Sequence, residues 1–167
     1  HDSAATYDRC GPGAEYCHAQ TYGFKDQLYK GIRFFDIRIA NKDGDLEFHH
    51  NIYDLDINFK HAVDRVQEFL SHHENEFVIF LIKQETWTGD DRLPTNVFWD
   101  IIYEQLKDYE YDKLFYFSQH GVPTVDEVRG KIVIMAREKS SNYPGPSDPY
   151  QVTWDNNPLY YEGHDRH

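Results

Sequence analysis

Cysteine is scarce: the 167 residues hold two, Cys10 and Cys17. They sit in a loop containing glycine and proline, without the C-x₂-C spacing and nearby partner ligands of a structural zinc site. A disulfide closing a small surface loop is expected instead, a usage typical of secreted proteins. Basic residues are also in deficit, with 17 Lys and Arg against 29 Asp and Glu for a net charge of −12. That balance excludes the electrostatic footprint of a nucleic-acid binder. It also gives no long-range attraction to anionic lipid, so membrane contact is expected to be local, apolar and transient. No apolar run approaches the roughly 18–20 residues of a membrane span. Neither an internal repeat nor a low-complexity tract is visible, and no leader of the charged–apolar–small kind follows His1.

What is present suits a globular domain. Hydrophobic residues reach 40% and charged ones 28%, enough apolar surface for one ordinary core. From about residue 19 to 138, strand-like and helix-like patterns alternate, as in a mainly parallel sheet or barrel. Residues 32–39 read as a strand, and 45–50 as another across the turn Lys42-Asp43-Gly44. Phe59, Ala62, Val63, Val66, Phe69 and Leu70 fall at helical spacing, with Asp56 or Asn58 as the N-cap. Residues 77–85 form a nearly continuous apolar strand, the pattern of burial on both faces. A second helix is expected over 96–106 and a last strand over 131–137. Beyond Ser140 the Pro/Gly/Asn-rich stretch reads as a long loop.

Strand alternation adds a functional hint. Residues two apart share a face, so Asp36 and Arg38 lie opposite Phe35, Ile37 and Ile39. Leu46, Phe48 and His50 share a face, as do Leu81, Lys83 and Glu85, and Val133, Met135 and Arg137. Each such set ends on a charged or imidazole group at the C-terminal end of its strand. Barrel strands whose ends line an active site have this form, and cationic ends favour an anionic ligand.

Several segments carry a family resemblance. They are His1-Asp2-Ser3, the run from Gln27 to Arg38 containing Gly31-Ile32-Arg33-Phe34-Phe35-Asp36-Ile37-Arg38, Phe48-His49-His50, Ile82-Lys83-Gln84-Glu85, and Arg129 to Arg137. In order and spacing they resemble the X region of bacterial phosphatidylinositol-specific phospholipases C. The likeness covers residues 1–139, with 140–167 as a loop-rich continuation of the same domain. It implies an α/β fold, a distorted TIM-like (β/α) barrel. A whole barrel takes about 250 residues, so the chain is expected to be a segment of a longer protein, roughly the N-terminal half.

The resemblance also implies roles. His1 is similar to the general base and His50 to the general acid, with Asp2 orienting the acid imidazole and Arg38 on the phosphate. Lys83, Glu85 and Arg137 correspond to positions that hold inositol hydroxyls. The partner is then phosphatidylinositol or an inositol phosphate headgroup at a membrane surface, and the enzyme is secreted. No cofactor and no metal are implied, because Arg38 stands where related eukaryotic enzymes use calcium.

The residue types fit that chemistry. Displacement at phosphorus needs one neutral and one protonated group on opposite sides, and histidine titrates near working pH. A planar guanidinium can meet two phosphate oxygens as their charge grows. Two other readings are a non-catalytic barrel binding inositol phosphate or glycan headgroups, and a metal-dependent glycerophosphodiester phosphodiesterase. The first does not require both an acid and a base histidine. The second would place carboxylate ligands where Arg38 and His50 stand.

Overall fold

The computed structural model describes residues 3–5, 19–42, 44–50, 53–85, 92–117 and 123–136. Their longest helix, α2 (Phe59–His72), starts where Asn58 accepts a hydrogen bond from the His61 backbone N–H at 2.8 Å. That bond satisfies one of the donors a helix start leaves without an internal partner. The stripe Phe59, Ala62, Val63, Val66, Phe69 and Leu70 is buried, every member as the 3.6-residue period demands. A second amphipathic helix, α3 (Thr95–Leu106), begins after Pro94 and buries Phe98, Trp99, Ile102 and Leu106. Three short helices complete the set among the described residues: α1 (Phe24–Tyr29), α4 (Tyr111–Leu114) and α5 (Val125–Val128).

The helices accompany one six-stranded sheet. Its strands are β1 (Phe34–Lys42), β2 (Asp45–His50), β3 (Tyr53–Asn58), β4 (Val78–Gln84), β5 (Phe115–Phe117) and β6 (Ile132–Ala136). Spatial order is β3-β2-β1-β4-β6-β5. The β1–β4, β4–β6 and β6–β5 pairs are parallel, as βα alternation requires. Two features depart from a regular barrel. β1, β2 and β3 form an antiparallel meander, and β6 lies between β4 and the earlier strand β5. The β1–β2 turn depends on Gly44, whose φ of +97° suits a residue without a Cβ.

The sheet has one face packed by helices and one lined by a smaller apolar cluster. On the packed face, Phe24 of α1 stacks on Phe35 at 4.4 Å between ring centroids and meets Phe80 edge-on at 6.0 Å. Phe35, Ile37 and Ile39 of β1 and Val78, Phe80 and Ile82 of β4 are buried there. On the other face Val133, Met135 and Val128 form a cluster, with Ile79, Leu81 and Tyr116 partly buried against it. Strand β4 is apolar on both faces for that reason.

One expectation is corrected here. The strand-end pattern reads Leu46 and Phe48 of β2 as lying on the inner face with Arg38, and they do not share that face. Ile39 pairs with Phe48 in the antiparallel ladder, and such partners point to the same side. The Phe48 ring meets Phe24 at 6.4 Å, on the helix-packed face. Alternation counted from Phe48 therefore does not carry His50 to the Arg38 face. The β2–β3 register shifts between Glu47 and His49, where one residue of β2 faces three of β3 between Asp54 and Asn58, so the extra residues belong to β3. The backbone of β2 continues through both histidines, with His49 opposite Asp54 and His50 opposite Tyr53. Their side chains lie outside the described part.

Replacing the cap of α2 tests the helix start. Asn58→Ala should lower stability by about 1 kcal/mol. It should move the denaturant midpoint and leave the slope unchanged. A midpoint within error of the parent would mean that packing of the buried stripe alone holds the first turn.

Candidate active site

Strands β1 and β4 build the centre of the site. Their parallel register sets Asp36 beside Leu81 and Arg38 beside Lys83, and register partners share a face. The ladder runs one residue further, the Glu85 N–H donating to the Ile39 carbonyl at 2.8 Å. Glu85 thus sits on the same side as Lys83 at the C-terminal end of the pair.

Two cations on neighbouring strands, about 4.8 Å apart in backbone spacing, would repel. Carboxylates offset that repulsion. Arg38 Nε donates to Asp36 Oδ2 at 3.1 Å, and Arg38 Nη1 to Glu85 Oε1 at 3.3 Å. Lys83 Nζ donates to the same Glu85 Oε1 at 3.0 Å. The Arg38 side chain is 14% exposed and that of Glu85 17%, so the cluster is neither in bulk water nor sealed. Among the described residues the bonds of Arg38 run through Nε and Nη1. The Nη2 edge of the fork makes none with them, so among the described residues no acceptor takes its two N–H donors.

Support comes from below and behind. Gln84 is buried and its amide pairs with the Leu93 backbone, the nitrogen donating at 3.1 Å and the oxygen accepting at 2.8 Å. That contact ties the end of β4 to the approach of α3. Toward the floor, Tyr116 packs on the Val133 and Met135 side. Burial raises its phenol above the ordinary value, and the Glu127 carboxylate adds to the effect, so Tyr116 is neutral at working pH. Thr124 and Glu127 form a reciprocal capping box that fixes α5.

The two arginines of the Gly31-to-Arg38 motif do different work. Arg33, at the opposite end of β1, donates to the Leu28 carbonyl at 2.7 Å and to Glu76 at 2.9 Å, and stacks over Phe69. Its guanidinium holds the Glu76 carboxyl below the usual range. Arg33 is a structural clamp between α1, β1 and α2.

The structure brings Arg38, Lys83 and Glu85 together with Asp36. The backbone of His50 belongs to β2, next to β1 in the sheet. His1, Asp2 and Arg137 lie outside the described residues, as do Cys10 and Cys17; β6 ends at Ala136, one residue before Arg137. Two buried residues were given no role in the sequence analysis, Ser3 and Gln27. Ser3 donates its N–H to the Asp36 carbonyl at 2.9 Å and accepts the Asp36 N–H on Oγ at 2.9 Å. Gln27 Nε2 donates to the Ser3 carbonyl at 2.7 Å. The available signal was a lone amide between Phe24 and Leu28 on a buried face. Among the described residues no three His, Cys, Asp or Glu side chains converge as a metal-ligand set.

A mixed α/β sheet whose parallel β1–β4 pair carries an ion-paired guanidinium and ammonium on one face defines the class: an α/β protein with a charged cluster beside its parallel strands. Comparison narrows it. The family described as phosphatidylinositol-specific phospholipase C, X domain, matches residues 14–138, and the chain belongs to that family. The 1-phosphatidylinositol phosphodiesterase of Staphylococcus aureus strain Newman is 29% identical over 139 residues, covering 82% of this chain and 44% of its own. The enzyme of the same name from Listeria monocytogenes is 29% identical over 121 residues, covering 70% and 35%. A solved structure of the Staphylococcus aureus phosphatidylinositol-specific phospholipase C superposes with a TM-score of 0.66 at 26% identity, over 82% of this chain and 45% of that one. The fold is accordingly the distorted TIM-like barrel. The chain spans less than half the length of these relatives.

The shared Glu85 oxygen makes a clear prediction. Glu85→Gln leaves Arg38 and Lys83 side by side without a bridging charge. Stability should fall by about 1–2 kcal/mol, between the values for exposed and for buried pairs. The loss should shrink in high salt, which screens the remaining repulsion. Equal unfolding midpoints for parent and variant at low salt would show that the bridge contributes nothing.

Proposed function

We propose that the protein acts as a phosphatidylinositol-specific phospholipase C, releasing diacylglycerol and a cyclic inositol phosphate at a membrane surface after secretion. The observation that carries this is the Arg38 fork. Asp36 and Glu85 hold it on two sides, and its Nη2 edge, without a partner among the described residues, suits a phosphate oxygen, in a member of the X-domain family.

In this reading the inositol 2-hydroxyl oxygen forms a bond to phosphorus as the bond to the diacylglycerol oxygen breaks. His1 takes the hydroxyl proton and His50 gives a proton to the leaving oxygen, with Asp2 orienting the His50 imidazole. Arg38 stabilises charge growing on the non-bridging oxygens, where a fixed fork acts at no reorganisation cost. Lys83, Glu85 and Arg137 engage the inositol hydroxyls. Ser3, two residues from His1, is bonded to the backbone of Asp36.

The test uses the whole protein and phosphatidylinositol vesicles. Diacylglycerol and cyclic inositol phosphate are expected. Choline phosphate from phosphatidylcholine as the main product would overturn the reading. His1→Ala and His50→Ala should each lower kcat by about 10²–10⁴, and His49→Ala should leave turnover largely intact. A dead His49→Ala beside an active His50→Ala would move the acid by one residue. Arg38→Lys should also be costly, since an ammonium keeps the charge and loses the fork. Turnover should survive chelation; a fall of more than about tenfold that calcium restores would assign the charge stabilisation to a metal instead.

A further inference from the structure

Ser3 and Gln27 are polar and almost wholly buried, at 4% and 2% exposure. Buried polar groups are retained where their bonds are satisfied and costly where they are not. Here the bonds form one chain. Both hydrogens of the Gln27 amide are used, one on the Ser3 carbonyl and one on the Tyr22 carbonyl, each at 2.7 Å. Ser3 in turn grips Asp36 twice, through N–H to carbonyl and through Oγ from N–H, both at 2.9 Å. The far side of the segment is closed as well, because the Ala5 carbonyl accepts from the N–H groups of Ala19 and Gln20 at 2.9 Å.

The place of attachment is the informative part. A tether meant only to close the core could join any residue of β1. This one joins Asp36, whose carboxylate holds Arg38 Nε at 3.1 Å. The residue that orients the guanidinium is therefore also the residue against which Ser3 is registered, and Ser3 is separated from His1 by Asp2 alone. We infer that Ser3 and Gln27 are positioning residues that set the base at His1 against the phosphate-binding fork of Arg38. The inference rests on the acid–base reading above and deepens it. Neither side chain touches the substrate. Each acts through the geometry of a neighbour, where a displacement near 1 Å costs about 10² in rate.

The experiment is a double-mutant cycle in the whole protein on phosphatidylinositol vesicles, with rates normalised to the folded fraction. Ser3→Ala removes the hydroxyl and Gln27→Met removes both amide donors at similar bulk. Each should lower kcat by about 10–100-fold and leave KM within about threefold. Ser3→Thr keeps the hydroxyl and should recover at least about a third of the parent kcat, whichever of the other two folds less well. In a His1→Ala background neither Ser3→Ala nor Gln27→Met should lower the residual rate further, since the group they position is gone. A purely structural tether would cost the same factor in both backgrounds, and that result overturns the inference. So does a kcat for Ser3→Ala and Gln27→Met within about threefold of the parent, or a Ser3→Thr as impaired as Ser3→Ala. If His1→Ala alone keeps the parent kcat, the acid–base reading fails and the positioning role falls with it. A crippled His1→Ala beside an unaffected Ser3→Ala instead removes the positioning role alone.

Discussion

The parallel pairing of β1 with β4 governs the rest of the molecule. Its register lays Arg38 against Lys83 and, by the same alternation, buries Phe35, Ile37 and Phe80 beneath the helices. A slip of one residue would exchange the two sets, sending guanidinium and ammonium into the aromatic core. The burial that fixes the register is therefore also what holds the cations on the opposite side. Each ring removed from water there contributes on the order of 2–3 kcal/mol, so the aromatic face decides the register and the charges accept it.

Accepting it has a consequence for the site. Two like charges at adjacent register positions need carboxylates between them, and Asp36 and Glu85 supply these from the same two strands. The carboxylates orient the fork as well as neutralising it. Arg38 is gripped at Nε and Nη1, which restricts the rotamers of a long side chain before any ligand arrives. Preorganisation of this kind is what an anion-binding group needs if it is to favour a transition state over a solvated ground state.

The meander on the other side of β1 answers a different constraint. An antiparallel hairpin brings β2 back alongside β1 with Phe48 opposite Ile39, so its apolar residues join the helix-packed core. The register change between Glu47 and His49 then interrupts the ladder. Bulges and shifts of this kind accommodate extra residues in one strand of a pair, and here those residues lie in β3 between Asp54 and Asn58.

Much of this was legible in the residues themselves. The buried stripe of α2 follows from helical spacing, which leaves Asp56 or Asn58 as its cap, and the structure uses Asn58. The common face of Asp36 with Arg38, and of Lys83 with Glu85, follows from a two-residue period within one strand. Period, however, relates residues only within their own strand. Whether a face looks to the helices or away is decided by partners far along the chain, which is why β2 reads correctly as a strand yet on the wrong side. Strands as short as Phe115–Phe117 carry too few residues for any period, and they form because β6 offers a parallel edge. Ser3 meets Asp36 across 33 residues of chain, and Gln27 of α1 meets Ser3 across 24, contacts that exist only once these segments fold together. Local spacing determined the elements and the chemistry each one carries. Long-range pairing and packing alone decided which of those chemistries share a face.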